Sequence, residues 1–140
     1  MIDRSGSQPD PSRIVFEVNE GVAVRSYELL VKGIRELREH GFRVAVDDLG
    51  AGHTNLDQVL RLQPDFLKLD LSLVRGVHQN AVKQALIESV VAMGRVAGAT
   101  VIAEGVEAQE ERDALISLGV TWGQGYFFAR PEPGFARPAL

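Results

Sequence analysis

The chain has 140 residues, 45% hydrophobic and 24% charged, the mix of one globular domain large enough to bury a core. A net charge of -4 leaves no basic footprint for a nucleic-acid duplex, and the lack of cysteine excludes disulfides and thiolate metal sites. The lack of cysteine makes the cytosol the expected compartment; MIDRSGSQPDPSR holds no apolar signal region, and no apolar run approaches the ~20 residues of a bilayer span.

Residues 1–12 are polar and rich in Ser, Gly, Pro and Asp, and read as an arm or cut edge. The body of the domain is expected over 13–134, with 135–140 as a tail. Ile14, Val15 and Phe16 open a strand that ends near Glu17 and Glu20. From Ser26 to His40, Leu29, Leu30, Ile34 and Leu37 fall on one helical face, and Gly41 takes the stop position. FRVAVDDLGAG then gives a buried strand (Val44, Ala45, Val46) leading into Asp47, Asp48 and a glycine-punctuated loop. Thr54 can cap a short helix through Gln63, closed by Pro64.

FLKLDLSLV reads as the next strand, with Lys68 and Asp70 embedded among apolar residues. Asn80 to Ala97 is a longer helix carrying Val82, Leu86, Val90, Met93 and Val96. Gly98 precedes the strand ATVIAEGVE, which ends in Glu104 and Glu107. A helix follows over Glu110–Leu118 and stops at Gly119, and VTWGQGYFFA is the last strand region. The alternation β-α-β-α-β-α-β-α-β predicts an α/β fold with a parallel sheet covered by helices, about five βα units of a partial barrel.

The polar residues at successive strand ends are Glu17, Asp47 with Asp48, Lys68 with Asp70, Glu104 with Glu107, and Gln124. In a parallel barrel these ends share one face, where such enzymes keep their active sites. Four or five carboxylates with one lysine suit a hard cation held by oxygen ligands. Two divalent ions ~3.5–4 Å apart would activate water for phosphodiester hydrolysis. Asp47 could bridge them, Glu17 and Glu104 completing one and Asp48 the other, with Lys68 orienting that water or stabilising charge on the phosphate.

Plainer roles compete. A lone strand-end acid is commonly a helix cap or turn residue, and Asp-Asp-x-Gly is an ordinary turn sequence. An inward Lys68 needs a partner, and Asp70 is either that partner or the cap of the next segment. Glu20 and Glu107, beyond the strand ends, are the weakest ligand candidates and could simply hold loops. His40, His53 and His78 follow no ligand spacing and read as surface or loop residues.

Taken together, FEVNE, DDLGAGHTN, LKLD, AEGVE and QGYFFARPEP resemble, in order and spacing, the EAL domain of bacterial cyclic di-GMP phosphodiesterases. The usual family forms are LEITE, DDFGTGYSS, LKID, AEGVET and QGYLFSRPLP, and the likeness extends from about Pro9 to Pro133. It implies a modified TIM barrel with a two-metal Mg²⁺ or Mn²⁺ site that cleaves cyclic di-GMP to pGpG. By position it implies Glu17, Asp47, Asp48 and Glu104 as metal ligands and Lys68 at the nucleophilic water. Gln124, Glu107 and Asp70 would support the site, and Glu20 would anchor the loop at 50–55, which in the family is tied to dimerisation and metal occupancy.

The departures carry information. The Glu-Ala-Leu motif and a later asparagine ligand of the family do not occur in this sequence, which resembles the domain from about its fourth or fifth strand onward. A (β/α)₈ barrel takes ~250 residues; five units leave two sheet edges and an apolar inner face. Two origins are therefore open: a fragment of a longer chain, or a short protein that dimerises through its open side. Leu49, Ala51, His53, Thr54 and Asn55 replace the usual loop residues, Asn19 the usual Thr, and Leu71 a frequent Arg. The expectation is a partial phosphodiesterase domain, inactive alone, that meets cyclic di-GMP and follows a sensory or diguanylate cyclase-like domain. The alternative is a non-catalytic cyclic di-GMP-binding, dimerisation or regulatory module, and a different metal-dependent barrel hydrolase ranks last.

Overall fold

Short apolar runs separated by amphipathic helices have one economical packing, a parallel sheet with helices laid across it. The computed structural model describes residues 10–19, 27–50, 59 and 61–131 of the protein. Its strands are β1 (Val15–Asn19), β2 (Arg43–Leu49), β3 (Phe66–Leu69), β4 (Thr100–Ala103) and β5 (Trp122–Gly123). They lie in the order β1-β2-β3-β4-β5, all neighbours parallel, as the alternation predicts. The helices are α1 (Tyr27–Glu39), the short α2 (Leu71–Val74), α3 (Ala81–Ala97) and α4 (Gln109–Ser117). Most of the helix expected between Thr54 and Gln63, like Glu20 and the loop at 51–55, lies outside the described residues. Among the described residues no helix is long and apolar enough to cross a membrane.

The two faces of the sheet differ. Val44, Val46, Leu67, Leu69 and Ala103 point toward the helices and are buried with Ile34, Val74, Ile87, Val91 and Leu115. On the opposite face, Val15 and Trp122 remain 39% and 60% exposed, whereas Ala45 between them is buried. Arg43 lies 6.0 Å over the Phe66 ring on that second face. Within the described residues the sheet is thus fully covered on one side only.

Three expectations need correction. FLKLDLSLV is not one strand: β3 stops at Leu69, because the Asp70 side chain accepts from the Ser72 amide and starts α2. VTWGQGYFFA pairs only over Trp122–Gly123, since Gly125 turns the chain at φ 153° and the Phe127 amide bonds Val106 O. The buried face of α3 is Ile87, Val90, Val91 and Gly94, while Val82, Leu86 and Val96 are exposed. Gly94 decides between the two apolar stripes. A Cβ there would sit 3.0 Å from Val101, so this stripe alone lets the helix approach β4 closely. Leu29 likewise falls off the buried stripe of α1, at 73% exposure.

Helix ends follow local chemistry. Asn80 caps α3 by accepting from the Val82 and Lys83 amides, both at 3.1 Å. Gly98, at φ 74°, closes it with its amide on the Arg95 and Gly94 carbonyls.

Gly125 has a tighter constraint than any cap. A Cβ there would lie 2.3 Å from Val106 O and 2.4 Å from Val106 N, both backbone atoms. Gly125→Ala should therefore cost about 2–4 kcal/mol, read as a lower urea midpoint at unchanged slope.

Candidate active site at the strand ends

The parallel register brings the sequence-predicted acids together. Glu17 pairs with Ala45, and Asn19 with Asp47, so β1 and β2 end side by side. β3 places Lys68 next to Ile102 of β4, just before Glu104. The Lys68 ammonium lies 2.8 Å from Glu17 Oε1, 3.2 Å from Asp47 Oδ1 and 2.8 Å from Glu104 Oε1. Three carboxylates from three chain segments thus share one cation. The partner that an inward lysine requires is this trio and not Asp70, which is engaged as the α2 cap.

Burial and charge act in opposite directions on Lys68. Desolvation disfavours its charge, since the side chain is only 9% exposed, but the hydrogen bonds to Glu104, Glu17 and Asp47 outweigh it. The ammonium is held above the ordinary lysine value of 10.5. One ammonium facing three carboxylates leaves two formal negative charges, with Asp48 close by.

Asp48 reaches this face through a bulge. Between Val46↔Leu67 and Leu49↔Leu69, β2 spends three steps where β3 spends two. The extra residue is taken up with Asp48 at φ 62°, a conformation Asp tolerates better than most residues. Consecutive strand residues normally face opposite ways. Here the Asp48 carboxylate accepts from the Asn19 amide on β1, and its own N–H donates to Asp47 Oδ1 at 3.0 Å. The Thr-to-Asn departure at position 19 thereby gains a role that the sequence alone did not show.

The remaining candidates separate. Gln124 belongs to the site, its amide donating to Glu104 Oε1 at 2.5 Å. Glu107 turns away to Arg75, 2.5 Å from the guanidinium, and so holds loops. Leu71, half-exposed, lies against Gly105, the residue after Glu104. Glu111, absent from the sequence candidates, is buried at 5% exposure, and its fit to the third position of a helix starting after Ala108 was the available signal. Of the histidines, His40 is exposed and His78 lies in a 3₁₀ turn, while His53 falls outside the described residues.

The donor set fits a hard divalent cation: all oxygen, converging, and short of positive charge. Among the described residues no group of three or more His, Cys, Asp or Glu that could hold a metal ion is found; Glu17, Asp47 and Glu104 instead share the Lys68 ammonium. A groove of about 620 Å³ between β1 and α1 takes in Glu17 but not Lys68, Asp47 or Glu104.

The family model for the EAL domain matches residues 2–131. The chain belongs to the EAL-domain family. The cyclic di-GMP phosphodiesterase RocR of Pseudomonas aeruginosa is 37% identical over 123 residues, 88% of this chain and 31% of RocR. The probable cyclic di-GMP phosphodiesterase PdeA of Escherichia coli is 33% identical over 88% of this chain and 17% of its own. This EAL chain thus spans less than a third of either relative. Among solved structures, the manganese/cyclic di-GMP complex of Klebsiella pneumoniae BlrP1 at pH 9.0 superposes with a TM-score of 0.84. That likeness is at 40% identity over 88% of this chain and 31% of BlrP1. A calcium/cyclic di-GMP complex of the same protein gives 0.83.

Replacing Lys68 tests the shared cation. Lys68→Met should destabilise the EAL fold by about 2–3 kcal/mol at pH 7, less than a fully buried pair because Glu17 is half-exposed. The raised lysine value means that its contribution is fully present below pH 10.5 and fades only above it. The stability difference between parent and variant, from urea melts, should stay flat up to about pH 10 and shrink beyond.

Proposed function

We propose that this chain is the C-terminal part of a cyclic di-GMP phosphodiesterase domain, hydrolysing cyclic di-GMP to pGpG once its barrel is completed. The observation that carries the proposal is the convergence of Glu17, Asp47 and Glu104 on Lys68 at the ends of parallel strands. The relatives RocR and PdeA bear phosphodiesterase names, and BlrP1 holds cyclic di-GMP with manganese or calcium.

In this reading Glu17, Asp47, Asp48 and Glu104 hold Mg²⁺ or Mn²⁺. When bound, the metal supplies a water of lowered pKa and offsets phosphate charge. Lys68 gathers the carboxylates and would offset negative charge developing on a phosphate held there. Gln124 fixes the orientation of Glu104, and Asn19 that of Asp48. Arg75 keeps Glu107 off the centre, so its part is to support the loop.

The chain alone is proposed to be inactive, because the family's Glu-Ala-Leu ligand and later asparagine are not in its sequence. Its barrel would be completed by preceding strands or by a second copy, in the cytosol. An upstream cyclase-like domain has a parallel in the relative MucR of P. aeruginosa, named as a bifunctional diguanylate cyclase/phosphodiesterase. The second reading is a cyclic di-GMP-binding or regulatory module without turnover.

Calorimetry and a pGpG assay separate these readings. With Mn²⁺ the pure chain should bind the metal weakly, lose that binding at least about tenfold in Asp47→Asn, and release no pGpG. Steady pGpG release would refute inactivity alone. Micromolar cyclic di-GMP binding that is indifferent to metal and to Asp47→Asn would favour the regulatory module.

A further inference from the structure

The loops that follow Lys68 and Glu104 are fastened to each other by a residue outside the metal-ligand set. Glu111, on the first turn of α4, sends one carboxylate oxygen to each loop. Oε1 accepts from the Gly76 amide at 2.9 Å, in the turn after α2. Oε2 accepts from the Glu107 and Ala108 amides at 3.1 and 3.2 Å, in the loop that begins at Glu104. These three backbone bonds outweigh the burial of the group and hold its carboxyl below the usual range, so it stays ionised.

Other contacts converge on the same pair of loops. Lys83 donates to Arg75 O at 2.6 Å and Gln84 to Val77 O at 2.9 Å, fixing the Gly76 turn from α3. Leu71 packs where a side chain on Gly105 would have to go, and the Glu104 amide donates to Leu69 O at 3.3 Å. On the far side, the Val106 amide donates to Gln124 O. Glu104 therefore begins a five-residue loop whose far end is held by Glu111.

Helix capping alone does not account for Glu111. Ala108, at the N-cap, has no side-chain acceptor, so Glu111 takes the N-cap amide itself. A residue serving only the helix would have no use for the bond to Gly76, thirty-five positions earlier in the chain.

We propose that Glu111 is a positioning residue for the catalytic centre, clamping the loop after β3 to the loop after β4 so that Glu104 stays on Lys68. Its consequence for metal affinity rests on the phosphodiesterase reading, whereas the clamp itself does not.

Amide hydrogen exchange on the 140-residue chain tests the clamp, using Glu111→Ala combined with Ala108→Ser to restore a helix cap. The Gly76 and Glu104 amides should exchange at least about tenfold faster, while Val91 in the middle of α3 is unchanged. Glu111→Gln, which keeps the volume and one acceptor, should show the same order with a smaller change. Glu104 exchange within about twofold of the parent, or equal acceleration at Val91 and Glu104 in both variants, would reduce Glu111 to an ordinary stabilising residue. In the same double variant the Mn²⁺ dissociation constant, from the EPR signal of free Mn²⁺, should rise about tenfold, and an unchanged constant overturns the positioning role. A parent chain with no Mn²⁺ affinity removes the metal reading instead, and the exchange comparison still decides the clamp.

Discussion

Three carboxylates cannot be gathered at one end of a parallel sheet without a counter-charge, and here that charge is Lys68. Its ammonium ties Glu17 on the edge strand β1, Asp47 on β2 and Glu104 beyond β4 to the C-terminal end of β3. The strand order dictates this choice. β3 is the middle strand, so a long side chain at its end reaches acids on both sides. A lysine on β1 or β5 would reach only one. The rest of the site follows from how each acid is turned toward that point: Asp48 by the bulge and Asn19, Glu104 by Gln124.

The loops that carry the acids are held more firmly than their length suggests. Loops at the C-terminal ends of barrel strands carry function and are commonly mobile. Here Glu111, Lys83 and Gln84 fix the backbone after β3, and Gly125 lets the β5 turn close against Val106 after β4. Arg75 and Glu107 add an exposed ion pair across the same gap, of the kind that contributes little to stability but fixes where a side chain points. Rigid support beneath a charged centre matters because an acid displaced by an ångström no longer shares its cation.

Much of this was legible from residues alone. The apolar runs at 14–16, 44–46, 66–69 and 100–103 gave the strands, and the glycines at 41, 98 and 119 gave the helix ends. Five motifs in order gave the family and the carboxylate set. Where the reading failed, a local side chain or a distant neighbour had the deciding vote. Asp70 ended β3 through its own hydrogen bond to Ser72, a competition that hydrophobic pattern does not register. The buried face of α3 was hidden because the helix carries two apolar stripes, and only the close approach to Val101 selects the one with Gly94. Glu107 had two readings, a support for the site and a holder of loops, and only Arg75, thirty-two residues earlier, shows where its side chain goes. Glu111 escaped notice because its partners are backbone amides, which leave no trace in side-chain spacing.

The extra residue in β2 constrains how this segment can vary in length. Because Asp48 absorbs the added step with its positive φ, β2 can carry two adjacent acids, Asp47 and Asp48, between Val46 and Leu49 and still return Leu49 to the buried face. A regular pleat allows only one of two adjacent acids to face the site, and the other would be driven in among Val46, Leu69 and Val74, all fully buried. Deleting Asp47 or Asp48 would restore that pleat but leave one acid where this end of the sheet now presents two. In this stretch the spacing of the chain is itself under physical constraint, independently of which acids it carries.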